Sequence, residues 1–170
     1  MIRNAGIEDI EKLVALKSTV GRDTYFDYGS PEQFDDWVEA VCTYDYFEKL
    51  VNNSTTILVA EYGDVFLGMA SVSFYDEKAL FGNLYVGLQD RGIGSLLTQH
   101  RFNLVKQNVS LQNYGATYDV EASVFYQNHR AYTHLLKHGF IPFDWKPHDQ
   151  YSFPLVVMKR TLENDNIIYT

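Results

Sequence analysis

The stretch Leu84-Tyr85-Val86-Gly87-Leu88-Gln89-Asp90-Arg91-Gly92-Ile93-Gly94-Ser95-Leu96-Leu97 passes from a β-prone run through two closely spaced glycines into an apolar stripe. The stripe continues with His100, Leu104 and Val105, the spacing of one helix face. The unit is strand, glycine turn, helix. Such a turn presents successive backbone N–H groups at a helix N-terminus, and glycine at 92 and 94 lets the backbone curl and approach a ligand closely. An anion cradle is expected there. It is not a P-loop, because the Gly-Lys-Ser/Thr ending is missing, and Leu97 stands where the dinucleotide fingerprint needs its third glycine.

Upstream, residues 1–3 read as a short strand, and Ile7, Ile10, Leu13, Val14 and Val20 recur at helical spacing. Ser30-Pro31-Glu32-Gln33 is a capping box with proline where no amide donor is needed, so a second helix starts at Pro31 and runs, with a break, toward Leu50. Residues 56–62 and 65–75 are β-branched and aromatic runs separated by Gly63-Asp64, a hairpin, and 79–86 adds a third antiparallel strand. Downstream, 116–125 reads as a strand, 128–138 as a helix closed by Gly139, and 141–161 as one or two strands interrupted by Pro147 and Pro154. Residues 163–170 look like a tail. The expectation is one α/β domain over 1–162 with a mixed, mostly antiparallel central sheet.

The 170 residues carry 14 Lys+Arg against 22 Asp+Glu, a formal charge of −8, with 46% apolar residues. That describes one folded acidic domain and argues against nucleic acid or an anionic membrane as partner, since both are held by basic side chains. Cys42 is the only cysteine, so no internal disulfide forms and a reducing, cytoplasmic setting is expected. No signal-peptide pattern or membrane-spanning run is present in the sequence.

The glycine turn matches Gln/Arg-x-x-Gly-x-Gly/Ala as Gln89-Asp90-Arg91-Gly92-Ile93-Gly94. A second match follows at Asn128-x-x-Ala131 and Lys137-x-Gly139-Phe140. Together, in this order and on these elements, they make the chain resemble the GCN5-related N-acetyltransferase superfamily along nearly its whole length. The resemblance implies a sheet splayed between its fourth and fifth strands, with the pantetheine arm of acetyl-CoA in the gap. It implies that the amides of Arg91, Gly92, Ile93, Gly94 and Ser95 hold the pyrophosphate beside Gln89 and Asp90. The edge Leu84-Tyr85-Val86 would pair with pantetheine, Val86 N–H would stabilise the thioester oxygen, and Asn128 would bind the arm. The glycines and Asn128 also read as an ordinary tight turn and helix cap.

Two departures stand out. Only Gly87-Leu88 separates Val86 from Gln89, a shortened loop, and Leu135 occupies the position where many members carry a tyrosine acid. Tyr132 and His134 are the candidate replacements, each equally readable as a packing or surface residue. A base is needed to deprotonate an ammonium with a pKa near ~10. Candidates are Glu121 and Asp119, which strand alternation puts on one face with Ser123, while Asn83 can only position a water. His134 and His138 lie four residues apart without a third ligand, so no metal is expected.

In this superfamily the segment between the first two helices walls the acceptor pocket. Here 22–48 holds eight acids (Asp23, Asp27, Glu32, Asp35, Asp36, Glu39, Asp45, Glu48), one base and eight aromatics. Carboxylates and ring faces suit an alkyl-ammonium or polyamine, with Tyr25, Asp27 and Tyr28 as substrate contacts. Thr24-Tyr25-Phe26 weakly resembles polyamine acetyltransferases. The same segment also reads as an amphipathic helix pair with a solvated acidic face. The expected function is acetyl transfer from acetyl-CoA to a primary amine, a small cationic amine or polyamine in particular. An aminoglycoside amine, a protein N-terminal amine and a catalytically degenerate CoA-binding module are the alternatives. Homodimers are frequent in the resembled superfamily.

Overall fold

A computed structural model describes residues 1–112, 117–147 and 154–163. Seven strands form one sheet: β1 (Ile2–Asn4), β2 (Thr55–Tyr62), β3 (Val65–Phe74), β4 (Lys78–Val86), β5 (Thr117–Phe125), β6 (Ile141–Lys146) and β7 (Leu155–Glu163), in the order β1-β2-β3-β4-β5-β7-β6. Five helices flank it: α1 (Ile10–Tyr25), α2 (Pro31–Val41), α3 (Tyr44–Asn52), α4 (Ile93–Gln112) and α5 (His129–Lys137). All neighbours pair antiparallel except β4 and β5.

Local chemistry sets the boundaries. Ser30 Oγ accepts from Gln33 N–H at 3.2 Å and Gln33 Oε1 accepts from Ser30 N–H at 2.9 Å, the reciprocal cap that starts α2. The break before α3 is a second cap, where Thr43 Oγ1 accepts from Tyr46 N–H at 3.2 Å. Gly139 closes α5 at φ +79°, and the turn delivers Phe140 into the main core, where its ring lies 5.8 Å from Phe81 and 5.9 Å from Phe102. Val72, Val105, Val120, Val124, Val156 and Met158 belong to the same core. A second core, of Ile10, Leu13, Phe47, Ile57, Val59 and Met69, packs α1 and α3 against the sheet.

Two boundaries differ from the sequence reading. β7 runs through Glu163, because Glu163 pairs with Thr117 at the start of β5. Residue 116 and residues 164–170, the start assigned to the fifth strand and the rest of the tail, lie outside the described residues. α1 extends to Tyr25, one continuous helix past Val20, so a residue assigned to the connecting segment sits in its last turn.

The sheet opens where the site lies. β4 and β5 pair only over Lys78–Phe81 and Asp119–Ala122. On the other side of β4 the ladder to β3 skips from Ser71↔Gly82 to Met69↔Tyr85. Asn83, at φ +44°, takes up this bulge. The bulge turns the end of β4 away from β5, and the two strands diverge beyond Phe81 and Ala122.

Candidate active site

The amide edge of β4 faces the gap. Gly87 N–H donates to Leu67 O on β3 at 2.9 Å, so strand alternation aims the N–H groups of Val86 and Leu84 the opposite way, toward the opening. An outer trough of about 540 Å³ runs from there to the glycine turn. Leu84, Tyr85, Val86, Gln89, Asp90, Gly92, Ile93, Gly94, Ser95 and Asn128 line it, with Tyr25 as one wall. These residues come from both sequence motifs, whose first residues are Gln89 and Asn128. Arg91 and Tyr132 are absent from the lining; Tyr132 packs, half-buried, against the main core.

The turn has the backbone a cradle needs. Gly92 sits at φ +75° and Asp90 at φ +58°, and the space where a Gly92 side chain would stand is open. Leu96 N–H donates to Gly92 O at 3.0 Å, starting α4, so the preceding amides stay free of helix partners. Arg130 of α5 reaches across the trough, donating to Asp90 Oδ1 at 2.7 Å and to Gln89 Oε1. Lys137 and His129 add to this rim. A diphosphate would meet amides on one side and the Arg130 and Lys137 cations on the other. Asn128 caps α5, its Oδ1 accepting from Ala131 N–H at 3.0 Å, so its role as a helix cap is directly visible.

A second, inner pocket of about 220 Å³ continues between the diverging strands. Tyr25, Leu84, Tyr85, Ala131 and His134 line both spaces. Tyr25 is the hub: its ring meets Trp37 at 5.4 Å, Phe125 at 5.5 Å, Tyr28 at 5.6 Å and Tyr85 at 6.5 Å, all edge to face. Burial holds both Tyr25 and Tyr85 above the usual phenol range, so both stay protonated at neutral pH. His134 accepts or donates at Thr98 Oγ1, 2.9 Å away, and its ring lies 4.5 Å from that of His138, tilted by 50°. Burial first, then His138, Arg101 and Lys137, push His134 down to about 4. It is therefore a neutral imidazole at pH 7 and no ready proton donor. Among the described residues no His/Cys/Asp/Glu group is arranged to hold a metal.

The acids expected to act as base sit elsewhere. Glu121 and Asp119 do share a face, but at the closed end of the β4–β5 pair: Glu121 is bound by Lys78 at 2.9 Å, and Asp119 by Lys159 at 3.2 Å and Thr161 at 2.6 Å. Neither lines the trough or the inner pocket. Asp27, Asp23, Glu32, Asp35, Asp36, Glu39 and Asp45 are exposed and Glu48 half-buried, while Phe34, Trp37 and Phe47 are buried. The acidic segment is thus an amphipathic layer with its charges outward. Of the three expected substrate contacts, Tyr25 reaches the inner pocket and Tyr28 buttresses it, its hydroxyl donating to Gln127 O at 3.3 Å.

Two buried cations escaped the sequence reading. Lys17, 2% exposed, donates to Asn83 Oδ1 at 2.9 Å and sits in a cage of Tyr46 (4.1 Å), Tyr85 (5.5 Å), Phe47 (5.6 Å) and Trp37 (5.8 Å). Three rings of the 22–48 segment, Trp37, Tyr46 and Phe47, are thus already occupied by an ammonium of the chain itself. With no carboxylate beside it, burial pushes Lys17 down to about 8 against a small opposing pull from Cys42. Arg101, 1% exposed, lies under the inner pocket. Both were legible as charges on apolar stripes, Ile10-Leu13-Lys17-Val20 and Leu97-Arg101-Val105, three or four residues apart.

The chain has the fold of the GCN5-related N-acetyltransferases. It is similar over 95% of its length, and 98% of the other chain, to an N-acetyltransferase, PaiA, of Thermoplasma acidophilum solved with coenzyme A, at TM-score 0.78 and 20% identity. It is also similar to a GCN5-related N-acetyltransferase of Rhodopseudomonas palustris, at TM-score 0.73 and 19% identity over 95% of both chains. Aminoglycoside 6'-acetyltransferase type Ii shares the architecture at TM-score 0.64 and 18% identity, over 95% of this chain and 96% of the other. No family model and no curated protein sequence matches the chain. No helix among the described residues is long and apolar enough to cross a membrane.

Proposed function

We propose that the protein is an acetyl-CoA-dependent N-acetyltransferase acting on a primary amine. The observation that carries this is the gap itself: an unpaired β4 edge, opened by the Asn83 bulge, that runs without interruption into a glycine turn backed by Arg130. Pantetheine is an extended chain of amides, and an extended chain pairs with a free strand edge.

Leu84 lines both spaces, whereas Val86 lines only the outer trough. The thioester oxygen therefore belongs at Leu84 N–H, and Val86 N–H takes a pantetheine carbonyl, one step outward from the role expected of it. A fixed amide there is worth most where charge develops, in a site walled from water by aromatic rings. The amine nitrogen attacks the carbonyl carbon, the C–S bond breaks, and the proton shed by nitrogen leaves to solvent. Tyr25, the protonated phenol between trough and pocket, supplies a proton to the departing sulfur, the task the sequence suggested for Tyr132, and regains one from solvent, which balances the proton shed by nitrogen. Among the described residues Asp90 is the one carboxylate lining either space, and it is held by Arg130 in the glycine turn, while the inner pocket has none, so the acceptor reacts from its own neutral fraction.

The acceptor is a small cationic amine. Its support is the exposed acidic surface of α1, α2 and α3 around the pocket, which concentrates cations at the mouth without contacting them inside. A catalytically silent CoA-binding module is the second reading, favoured by the withdrawal of Glu121 and Tyr132 from the gap. Thiol release from acetyl-CoA, followed over a panel of polyamines, amino sugars and peptide N-termini, separates them. Turnover on an amine supports the enzyme, and tight acetyl-CoA binding with no turnover on any amine leaves the silent module.

A further inference from the structure

The inner pocket contains a charge that acetyl transfer does not use. Arg101 projects from α4 beneath the bulged strand, its guanidinium 4.2 Å from the Phe81 ring. Nη2 donates to Thr98 Oγ1 at 2.9 Å, and Nη1 makes two longer contacts, to Gly82 O at 3.3 Å and Ser71 O at 3.5 Å. Nε is buried without any hydrogen-bond partner. No carboxylate pairs with this guanidinium among the described residues. The titratable side chains lining the same pocket are Tyr25, Tyr85 and His134, all neutral at pH 7, so none offsets it.

A buried cation with an idle N–H is costly unless an anion joins it. Its place in the pocket says where that anion comes from. Arg101 lies at Gly82, two residues before Leu84 and on the closed side of the gap. Two residues of regular strand span roughly 6.6 Å, and the Asn83 bulge shortens the step, which puts Gly82 within reach of a short acyl chain extended inward from a thioester held at Leu84. An acetyl methyl stops short of it. A guanidinium with a free N–H is suited to a planar carboxylate.

We propose that the inner pocket accepts the acyl group of a short dicarboxylic acid carried as its CoA thioester, the distal carboxylate resting on Arg101. This rests on the reading of the gap as a CoA thioester site and widens it to carboxyacyl transfer. The reaction balances as acetyl transfer does. The amine nitrogen bonds the thioester carbonyl carbon, the C–S bond breaks, the proton lost by nitrogen balances the one gained by sulfur, and the distal carboxylate is unchanged.

The test compares acetyl-CoA, butyryl-CoA and succinyl-CoA on the whole protein by calorimetry. Butyryl and succinyl groups have the same chain length and differ in the terminal carboxylate. Binding of succinyl-CoA at least tenfold tighter than butyryl-CoA supports the proposal, and equal or weaker binding overturns it. The ratio needs only the unmodified protein. In Arg101→Met, provided it folds, the preference disappears while acetyl-CoA affinity stays within about threefold; a preference that survives refutes the role of Arg101. Acetyl-CoA binding without succinyl-CoA binding overturns the carboxylate subsite alone. If none of the three thioesters binds, both this proposal and the reading of the gap fall.

Discussion

Replacing Lys17 with methionine should change how stability depends on pH. Lys17 is 2% exposed and carries no carboxylate partner, and burial lowers it from an ordinary 10.5 to about 8. That difference corresponds to about 3 kcal/mol at ~1.4 kcal/mol per pH unit. Below pH 8 both folded and unfolded chains hold the proton, and the cost of burying the ammonium is fully present. Between 8 and 10.5 the folded chain releases it while the unfolded chain keeps it, so the unfolded state binds more protons and stability rises with pH. Integrated from pH 7.5 to 9.5 this yields a gain of about 2 kcal/mol. The raised phenols of Tyr25, Tyr46 and Tyr85 act in the opposite sense at still higher pH, but they are common to both proteins. Denaturant unfolding of wild type and Lys17→Met at the two pH values reads the lysine together with its small coupling to Cys42: the difference in stability between them should move by about 2 kcal/mol in favour of wild type. A difference that stays constant would refute the buried, unpaired ammonium. Methionine matches the length of the lysine stem, so loss of folding is not expected.

The glycine turn gives a binding prediction: Gly92→Val places a β-branched residue at φ +75° and fills the open space beside the trough, so acetyl-CoA affinity should fall about 100-fold while the cores are untouched. Calorimetry with unchanged affinity would sink the cradle. Glu121→Gln removes a half-exposed cross-strand ion pair with Lys78 and should leave kcat/KM within about twofold and stability within about 1 kcal/mol; a tenfold loss of kcat would restore Glu121 to the reaction. Tyr25→Phe keeps the ring contacts and removes the proton donor. It should cut kcat about tenfold or more with little change in KM for acetyl-CoA, and an unaltered kcat would assign the acid elsewhere.

Local patterns were readable in proportion to how local their causes are. The capping box at Ser30, the Gly63-Asp64 hairpin and the Gly139 closure need only a few neighbouring residues, and the structure contains all three. Motif order carried the fold because strand, glycine turn and helix leave one arrangement for the anion cradle. Long-range side-chain pairing was not readable. Glu121 alternates onto the expected face, yet its charge is spent on Lys78, 43 residues away, and only the β4–β5 register reveals that. Tyr25 was placed in the acceptor wall, but its position between the two spaces follows from α1 running a full turn past Val20. Lys17 and Arg101 were skipped because a basic residue in a helix is ordinarily solvated, while their place on apolar stripes is the mark of burial.

The divergence of β4 and β5 means that the two halves of this sheet share only four facing residue pairs, at one end. A ligand lying along Leu84 and Val86 would supply rungs that the polypeptide omits, joining the β1–β4 half to the β5–β7 half. The cofactor would then be a structural splint as well as a reactant. Amide hydrogens on both banks of the gap would exchange more slowly once it is seated, and the empty molecule would breathe along this seam before any other.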